Sequence, residues 1–162
     1  LRYFNASGAD VDGETGERHD PETHLIPLII KSVQNPNYTL KIFGNDYATA
    51  DGTCIRDYAH VTDLAVAHVK ALEWSVKTKE PFEAFNLGSG KGSSVLEVIA
   101  TVEKYMGQKA KYTVEGRRAG DSAVLVADIS KARRVLDWQP QISNIEKVVE
   151  TACNWHRKNP VA

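Results

Sequence analysis

The residues best placed by type and spacing to do chemistry begin with Gly88-Ser89-Gly90-Lys91-Gly92. A glycine turn between a strand and a helix can press backbone N–H groups against a pyrophosphate. Glu115 stands after the next expected strand, where such sites keep a ribose-binding acid. The spacing is GxGxG, however, and Ser93 sits where close helix packing wants Gly or Ala, so a plain strand-to-helix turn is the better reading. Tyr105 and Lys109 have the YxxxK spacing in which a lysine one helical turn away lowers a phenol's pKa. Gly107 falls between them at an expected helix end, which takes the two side chains off a common face. His19, His24, His60, His68 and His156 show no HExxH or other metal-ligand spacing, so no metal is assigned. Arg56 beside Asp57 reads, from spacing alone, as a structural ion pair or as part of a ligand site. Cys54 and Cys153 form neither a CxxC pair nor a disulfide framework and read as packed thiols in a reducing compartment. With no GxSxG elbow and no P-loop either, the sequence holds no self-sufficient catalytic constellation.

The elements that must position these residues alternate between strand and helix. Leu1-Arg2-Tyr3-Phe4 is an apolar and aromatic run that reads as a buried strand. Residues 5–22 carry turn chemistry throughout, and residues 24–33 are apolar enough for a helix, with Pro27 tolerable in its first turn. Residues 40–43 read as a short strand, and a polar loop is expected after Gly44-Asn45-Asp46. Thr62 or Asp63 can cap a helix with Leu64, His68, Ala71 and Leu72 on its apolar face. Residues 84–87 form another expected strand. Ser94 and Glu97 stand at capping-box spacing before a helix with Val95, Val98, Ile99, Val102 and Met106 on one side, and Gly107 suits its end. Residues 111–114 read as a strand, Asp128 can cap a short helix to Leu136, and Ser143 with Glu146 reads as a second capping box opening a final helix to about His156. The fold class is therefore α/β.

Bulk properties exclude several functions. The 162 residues are 42% apolar and 25% charged, with a net charge of −1, which fits neither a disordered chain nor a phosphate-tracking nucleic-acid surface. Any anion binding must be local. No apolar run approaches the ~20 residues of a membrane span, and the chain reads as cytoplasmic. It starts within an apparent strand and without methionine, so we expect a piece of a longer protein.

Four segments in order carry a family resemblance. They are Leu1-Arg2-Tyr3-Phe4-Asn5 with Gly8-Ala9; Leu25-Ile26-Pro27; Ile42-Phe43-Gly44-Asn45-Asp46-Tyr47 running on to Asp51-Gly52-Thr53-Cys54-Ile55-Arg56-Asp57-Tyr58-Ala59-His60-Val61; and Arg117-Arg118-Ala119-Gly120-Asp121. With Phe85-Asn86-Leu87-Gly88 and Ala127-Asp128, this ordered set resembles the C-terminal half of the extended short-chain dehydrogenases/reductases, and within them the UDP-glucose (UDP-galactose) 4-epimerases. The resemblance covers nearly the whole chain. It implies a C-terminal substrate-binding part, residues 1–162, of an NAD(P)-binding Rossmann-like fold whose core is incomplete, with most of the NAD site and the catalytic Tyr and Lys upstream. It also implies a cytoplasmic, homodimeric full-length enzyme of galactose metabolism, with no nucleic-acid or membrane partner. In that family NAD takes hydride from C4 of the hexose, the keto-sugar turns over, and hydride returns to its other face. The polypeptide alone is expected to show no turnover with added NAD.

Such chemistry needs a loosely held sugar and a firmly held nucleotide. By resemblance, Arg56 and Arg118 contact the diphosphate of UDP-glucose or UDP-galactose with planar forks that lysine would not match. Asp121 is expected on the uridine ribose, and Lys41-Ile42-Phe43 along the uracil, with Phe43 as an apolar wall. Asn5 is expected to hydrogen-bond the diphosphate, Phe4 to lie near the nicotinamide, and His24 and Leu25 to open a helix whose amides face an anion. Leu125 falls where some relatives carry a large aromatic residue that narrows the sugar pocket, which implies tolerance of an N-acetyl group at C2. Tyr58 and His60 read as structural. Two other readings stay open: another nucleotide-sugar enzyme of the superfamily (a pentose or uronate epimerase, or a dehydratase), and a non-catalytic UDP-sugar binding module.

Overall fold

In the computed structural model, which describes residues 1–161, thirteen elements follow one another. They are β1 (Arg2–Tyr3), β2 (Asn5–Ser7), α1 (Leu25–Gln34), β3 (Leu40–Phe43), β4 (Ile55–His60), α2 (Val61–Ser75), β5 (Asn86–Leu87), β6 (Gly92–Ser94), α3 (Val95–Met106), β7 (Tyr112–Glu115), β8 (Val124–Leu125), α4 (Ser130–Leu136) and α5 (Ile145–Lys158). The class is α/β, as expected. Four of the five strand pairings are parallel: β1 with β5, β2 with β4, β3 with β7, and β4 with β8. Only β6 runs antiparallel to β4. Two apolar clusters fill the interior, one beneath α1, α3 and α5, the other between α2, α4 and Trp138.

Strand β4 organises the molecule, although sequence reading assigned its residues to a polar loop. Ile-Arg-Asp-Tyr-Ala-His does not look like a strand because its charges have specific partners rather than water. Successive side chains point to opposite faces, so Arg56 and Tyr58 go one way and Asp57 and Ala59 the other. Asp57 has no exposed surface. Its carboxylate accepts from Ser89 N–H at 2.6 Å, the Ser89 hydroxyl at 2.7 Å, Gly90 N–H at 3.0 Å and Ala127 N–H at 3.1 Å. The glycine turn is thus spent on a carboxylate of the chain itself.

A second clamp closes the other end of β4. His60 is fully buried and caps α2 in place of Thr62 or Asp63: its Nδ1 accepts from Thr62 N–H at 3.1 Å. That acceptor role leaves the proton on Nε2, which lies 3.0 Å from the Thr151 hydroxyl of α5. Buried Asp63 accepts from Gln141 N–H, Ile142 N–H and the Ser143 hydroxyl, and its carbonyl accepts from the Trp138 indole. Ser143 is therefore occupied with Asp63 and does not cap α5. Asn144 does, accepting from Lys147 N–H at 2.9 Å, while Glu146 reaches Lys104 at 2.8 Å.

Other expectations fare unevenly. The Ser94–Glu97 capping box and the left-handed Gly107 cap of α3 are both present. The opening run is not one buried strand. It divides at Phe4 into β1 and β2, and Tyr3 is 51% exposed. On α2 the buried apolar residues are Leu64 and Ala67, whereas Leu72 is 66% exposed.

Two outcomes follow from the clamps. A Cβ on Gly88 would lie 2.5 Å from Asp57 Oδ2 and 2.6 Å from the Ala127 methyl. Gly88→Ala should therefore lower unfolding stability by roughly 1–3 kcal/mol, read from the urea midpoint; an unchanged midpoint would count against the clamp. Burial is the main cause holding the His60 pKa below its ordinary 6.5, opposed by Asp63 and Asp10 and assisted by Lys147. Well above pH 6.5 neither folded nor unfolded His60 binds a proton. Below it the unfolded state protonates first, so stability falls with falling pH until the lowered folded pKa is passed. Urea titrations should show this acid loss shrinking in His60→Gln.

Candidate functional site

One face of β4 opens on a cavity of about 260 Å³, near the small end of the ~300–1,000 Å³ usual for small-molecule sites. Its walls come from β2, the segment before α1, the start of α1, β3, β4 and the loop after β7. Nine positions singled out by sequence border it together. Asn5, His24 and Leu25 form one side; Lys41, Ile42 and Phe43 form another; Arg56, Arg118 and Asp121 form a third. Phe4 lies instead on a neighbouring open groove with Tyr3 and Val61. Leu125 lines neither, and is half exposed, but its register opposite Arg56 puts it on the same face of the β4–β8 pair.

The charged group is built from three directions. Arg56 is not paired with Asp57. Its Nη1 donates to the carbonyls of Ile55 at 2.9 Å and Ser122 at 2.8 Å, and its Nη2 reaches Asp121 Oδ1 at 3.4 Å. Arg118 meets the other Asp121 oxygen at 3.8 Å, and its guanidinium lies 4.2 Å from the centre of the Phe43 ring. Arg56 keeps 15% of its side chain exposed and Arg118 66%, so one cation is fixed and the other is open to solvent. The neighbouring Arg117 does a different job: it donates to the Asp46 carboxylate at 2.7 Å and stacks on Tyr47, holding the loop after β3 to the loop after β7. That contact pulls the Asp46 carboxyl below its ordinary value. Two guanidiniums against one carboxylate leave the cavity wall with a net positive charge.

Strand β3 contributes its backbone. Leu40 N–H donates to Lys111 and Gly44 N–H to Glu115, so even-numbered positions face β7. The N–H and C=O groups of Lys41 and Phe43 then face the opposite edge, which no other strand among the described residues pairs. This edge borders the cavity as a ready donor–acceptor row. The Ile42 side chain is buried in the core, and Lys41 extends outward to Glu115 at 3.9 Å. Opposite stands the first turn of α1, with no side-chain cap and no acidic residue in it. Asn5 donates one amide hydrogen to the Asp57 carbonyl at 2.7 Å and keeps its second.

The remaining candidates resolve as structural. Tyr58 is buried and its pKa is pushed far up by desolvation. Cys54 and Cys153 are buried free thiols, each raised by burial, that of Cys153 to about 11. Lys109 lies beyond the end of α3 and binds Glu103 at 2.5 Å, so it forms no pair with Tyr105. Spacing gave no sign that His19 and His24 meet Glu17 and Glu22 in space, yet the loop before α1 gathers all four.

Comparison with known proteins gives the family. A family model described as GDP-mannose 4,6 dehydratase matches residues 1–151. The UDP-glucose 4-epimerases of Lacticaseibacillus casei and Lactobacillus helveticus are 46% and 48% identical over 160 residues, which is 99% of this chain and 48% of each relative. The chain thus spans about half the length of the curated relatives it matches. Among solved structures, UDP-glucose 4-epimerase from Bifidobacterium longum in complex with NAD+ and UDP superposes with a TM-score of 0.90 at 40% identity, over 99% of this chain and 47% of that one. The enzyme from Brucella ovis in complex with NAD gives a TM-score of 0.88 at 46% identity, over 95% and 47%. The chain belongs to the family of the GDP-mannose 4,6 dehydratase model, the extended short-chain dehydrogenases/reductases, within which it is similar to the UDP-glucose 4-epimerases.

Proposed function

We propose that this chain is the UDP-sugar-binding part of an NAD-dependent UDP-glucose/UDP-galactose 4-epimerase. The observation that carries this reading is the convergence of Arg56, Arg118 and Asp121 on one cavity wall beside the open edge of β3. A pyrophosphate needs two cations and offers more than two oxygens. Arg56, held by two carbonyls, supplies a rigid fork, and Arg118 on the Phe43 ring supplies a second. An arriving diphosphate replaces Asp121 as their counter-ion. The freed carboxylate then accepts from the ribose hydroxyls, while the Lys41 and Phe43 backbone reads the uracil edge. The uncapped α1 terminus and the second amide hydrogen of Asn5 add donors to the phosphate side.

NAD, when bound, supplies hydride acceptance and return at C4 of the sugar. This chain fits only a margin of that cofactor. The Ser89 and Gly90 amides already serve Asp57, and of the expected residues Phe4 borders the groove next to the cavity, together with Asn5 and His24 at its rim. We therefore assign most NAD contacts and the turnover itself to the longer protein, together with its role in galactose metabolism, its cytoplasmic location and its homodimeric state.

Calorimetric titration of the full-length protein should show UDP binding with Arg56→Ala weakening it by ten-fold or more, on the order of 1.5–3 kcal/mol for a charge-assisted contact. Asp121→Asn should act in opposite directions on two probes, weakening uridine and strengthening inorganic pyrophosphate, because it removes the ribose acceptor and unmasks both arginines. UDP affinity indifferent to all these changes would defeat the assignment. Leu125, on the Arg56 face and half exposed, leaves room beside the sugar for an N-acetyl group. The full-length protein should epimerise UDP-N-acetylglucosamine and Leu125→Tyr should lose that activity selectively; equal inactivity of both would remove the idea.

A further inference from the structure

The segment between β2 and α1 holds a second concentration of chemistry-bearing side chains that the nucleotide reading does not use as a set. Glu17, His19, Glu22 and His24 each offer one ligand atom, and these atoms all lie within 4.8 Å of one another. His24 Nδ1 touches Glu17 Oε1 and stands 3.4 Å from Glu22 Oε1, and His19 Nδ1 is 3.8 Å from that same oxygen. Ligands bound at about 2.0–2.2 Å to a tetrahedral cation sit roughly 3.3–3.6 Å from each other. Small side-chain rotations would bring these four to that spacing.

The scaffold beneath the cluster is already fixed. The Glu22 side chain is only 3% exposed, and its Oε1 accepts from Thr23 N–H and His24 N–H, both at 2.7 Å. Backbone donors of this kind orient a carboxylate toward a metal from behind. Glu17 is anchored through its carbonyl, which accepts from the Trp155 indole at 2.9 Å, and Gly16 lies so close that a Cβ there would be 2.4 Å from the Trp155 ring. The His19 and His24 rings stack at 5.3 Å between centroids, so two nitrogen ligands already stand side by side. Two carboxylates would neutralise a doubly charged ion.

We propose that Glu17, His19, Glu22 and His24 bind one divalent transition-metal cation of the zinc type. Imidazole nitrogens select zinc, nickel or cobalt over the oxygen-seeking magnesium and calcium, and the lack of thiolate disfavours monovalent copper. Binding fixes the loop before α1 as a closed ring and commits the His24 side chain to the ion, which leaves the backbone of the α1 terminus to face the cavity. Glu17 and His24 also border the nucleotide cavity, but the ion uses none of Arg56, Arg118 or Asp121, so zinc binding and UDP binding are read by separate titrations.

Zinc chloride titrated into tag-free, chelator-free protein should show one saturable site per chain by calorimetry, and cobalt(II) should give the visible absorption of a four-coordinate ion. His19→Ala and His24→Ala, both on exposed side chains, should each weaken zinc by about ten-fold or more and abolish the cobalt spectrum while leaving the far-ultraviolet circular dichroism unchanged. Absence of saturable zinc binding, or equal affinity in the parent protein and both histidine variants, overturns the site and leaves a plain histidine–glutamate hydrogen-bond cluster.

Discussion

A carboxylate with no exposed surface and no cation beside it is stable only where hydrogen-bond donors surround it, and Asp57 has four from neutral groups. Those donors come from the Ser89–Gly90 turn and from Ala127, so one side chain ties β4 to the turn after β5 and to the chain after β8. The alternation of a strand does the rest. Once Asp57 is locked inward, Arg56 and Tyr58 must face the cavity, and the pairing of β4 with β8 carries the Asp121 loop to within reach of Arg56. Gly88, the first glycine of the turn that resembles a phosphate cradle, is needed here because a Cβ on it collides with that carboxylate.

On the proposed assignment, the cavity wall is prepared for an anion before one arrives. Arg56 cannot relax toward solvent, since two main-chain carbonyls hold its Nη1, and Arg118 rests on an aromatic face. Asp121 meanwhile occupies both, at 3.4 and 3.8 Å. These are long contacts for ion pairs, and at partial exposure each is weak. A ligand with more negative charge and better fork geometry displaces such a carboxylate easily, whereas a short bidentate pair would resist. The looseness of the internal pairs thus suits the wall to the role proposed for it.

Much of this was legible from residue types, and what was not has identifiable causes. Helix α3 was readable because its cap residues and its apolar period agree, and Gly107 ends it as a left-handed cap. Strand β4 was missed because periodicity registers apolar side chains, while its buried positions include Asp57 and His60, on opposite faces, with partners as far as 91 residues away. The α5 cap was displaced by one residue for a similar reason: Ser143 has a stronger claim on it from buried Asp63. The nine cavity residues were found through an ordered resemblance, not through any one spacing. Phe4 and Leu125 border other surfaces, Phe4 the adjoining groove and Leu125 the Arg56 face of the β4–β8 pair. The four residues of the loop before α1 have no helical or strand period, so nothing in the sequence marked their meeting.

Division of labour between backbone and side chain explains which cavity positions tolerate change. Along β3 the groups facing the cavity are the peptide N–H and C=O of Lys41 and Phe43, and these persist whatever side chain is attached. The Lys41 side chain is exposed and reaches Glu115 at 3.9 Å, so its identity matters little to the edge its backbone presents. Phe43 differs, because its ring supports Arg118. Removing that ring frees a long, flexible cation whose ordering must then be supplied by the ligand, at about 0.5–1.5 kcal/mol for a rotamer-rich side chain. Along β3 the cavity therefore depends on side-chain chemistry at Phe43, where charge must be held in place, and on the main chain at Lys41.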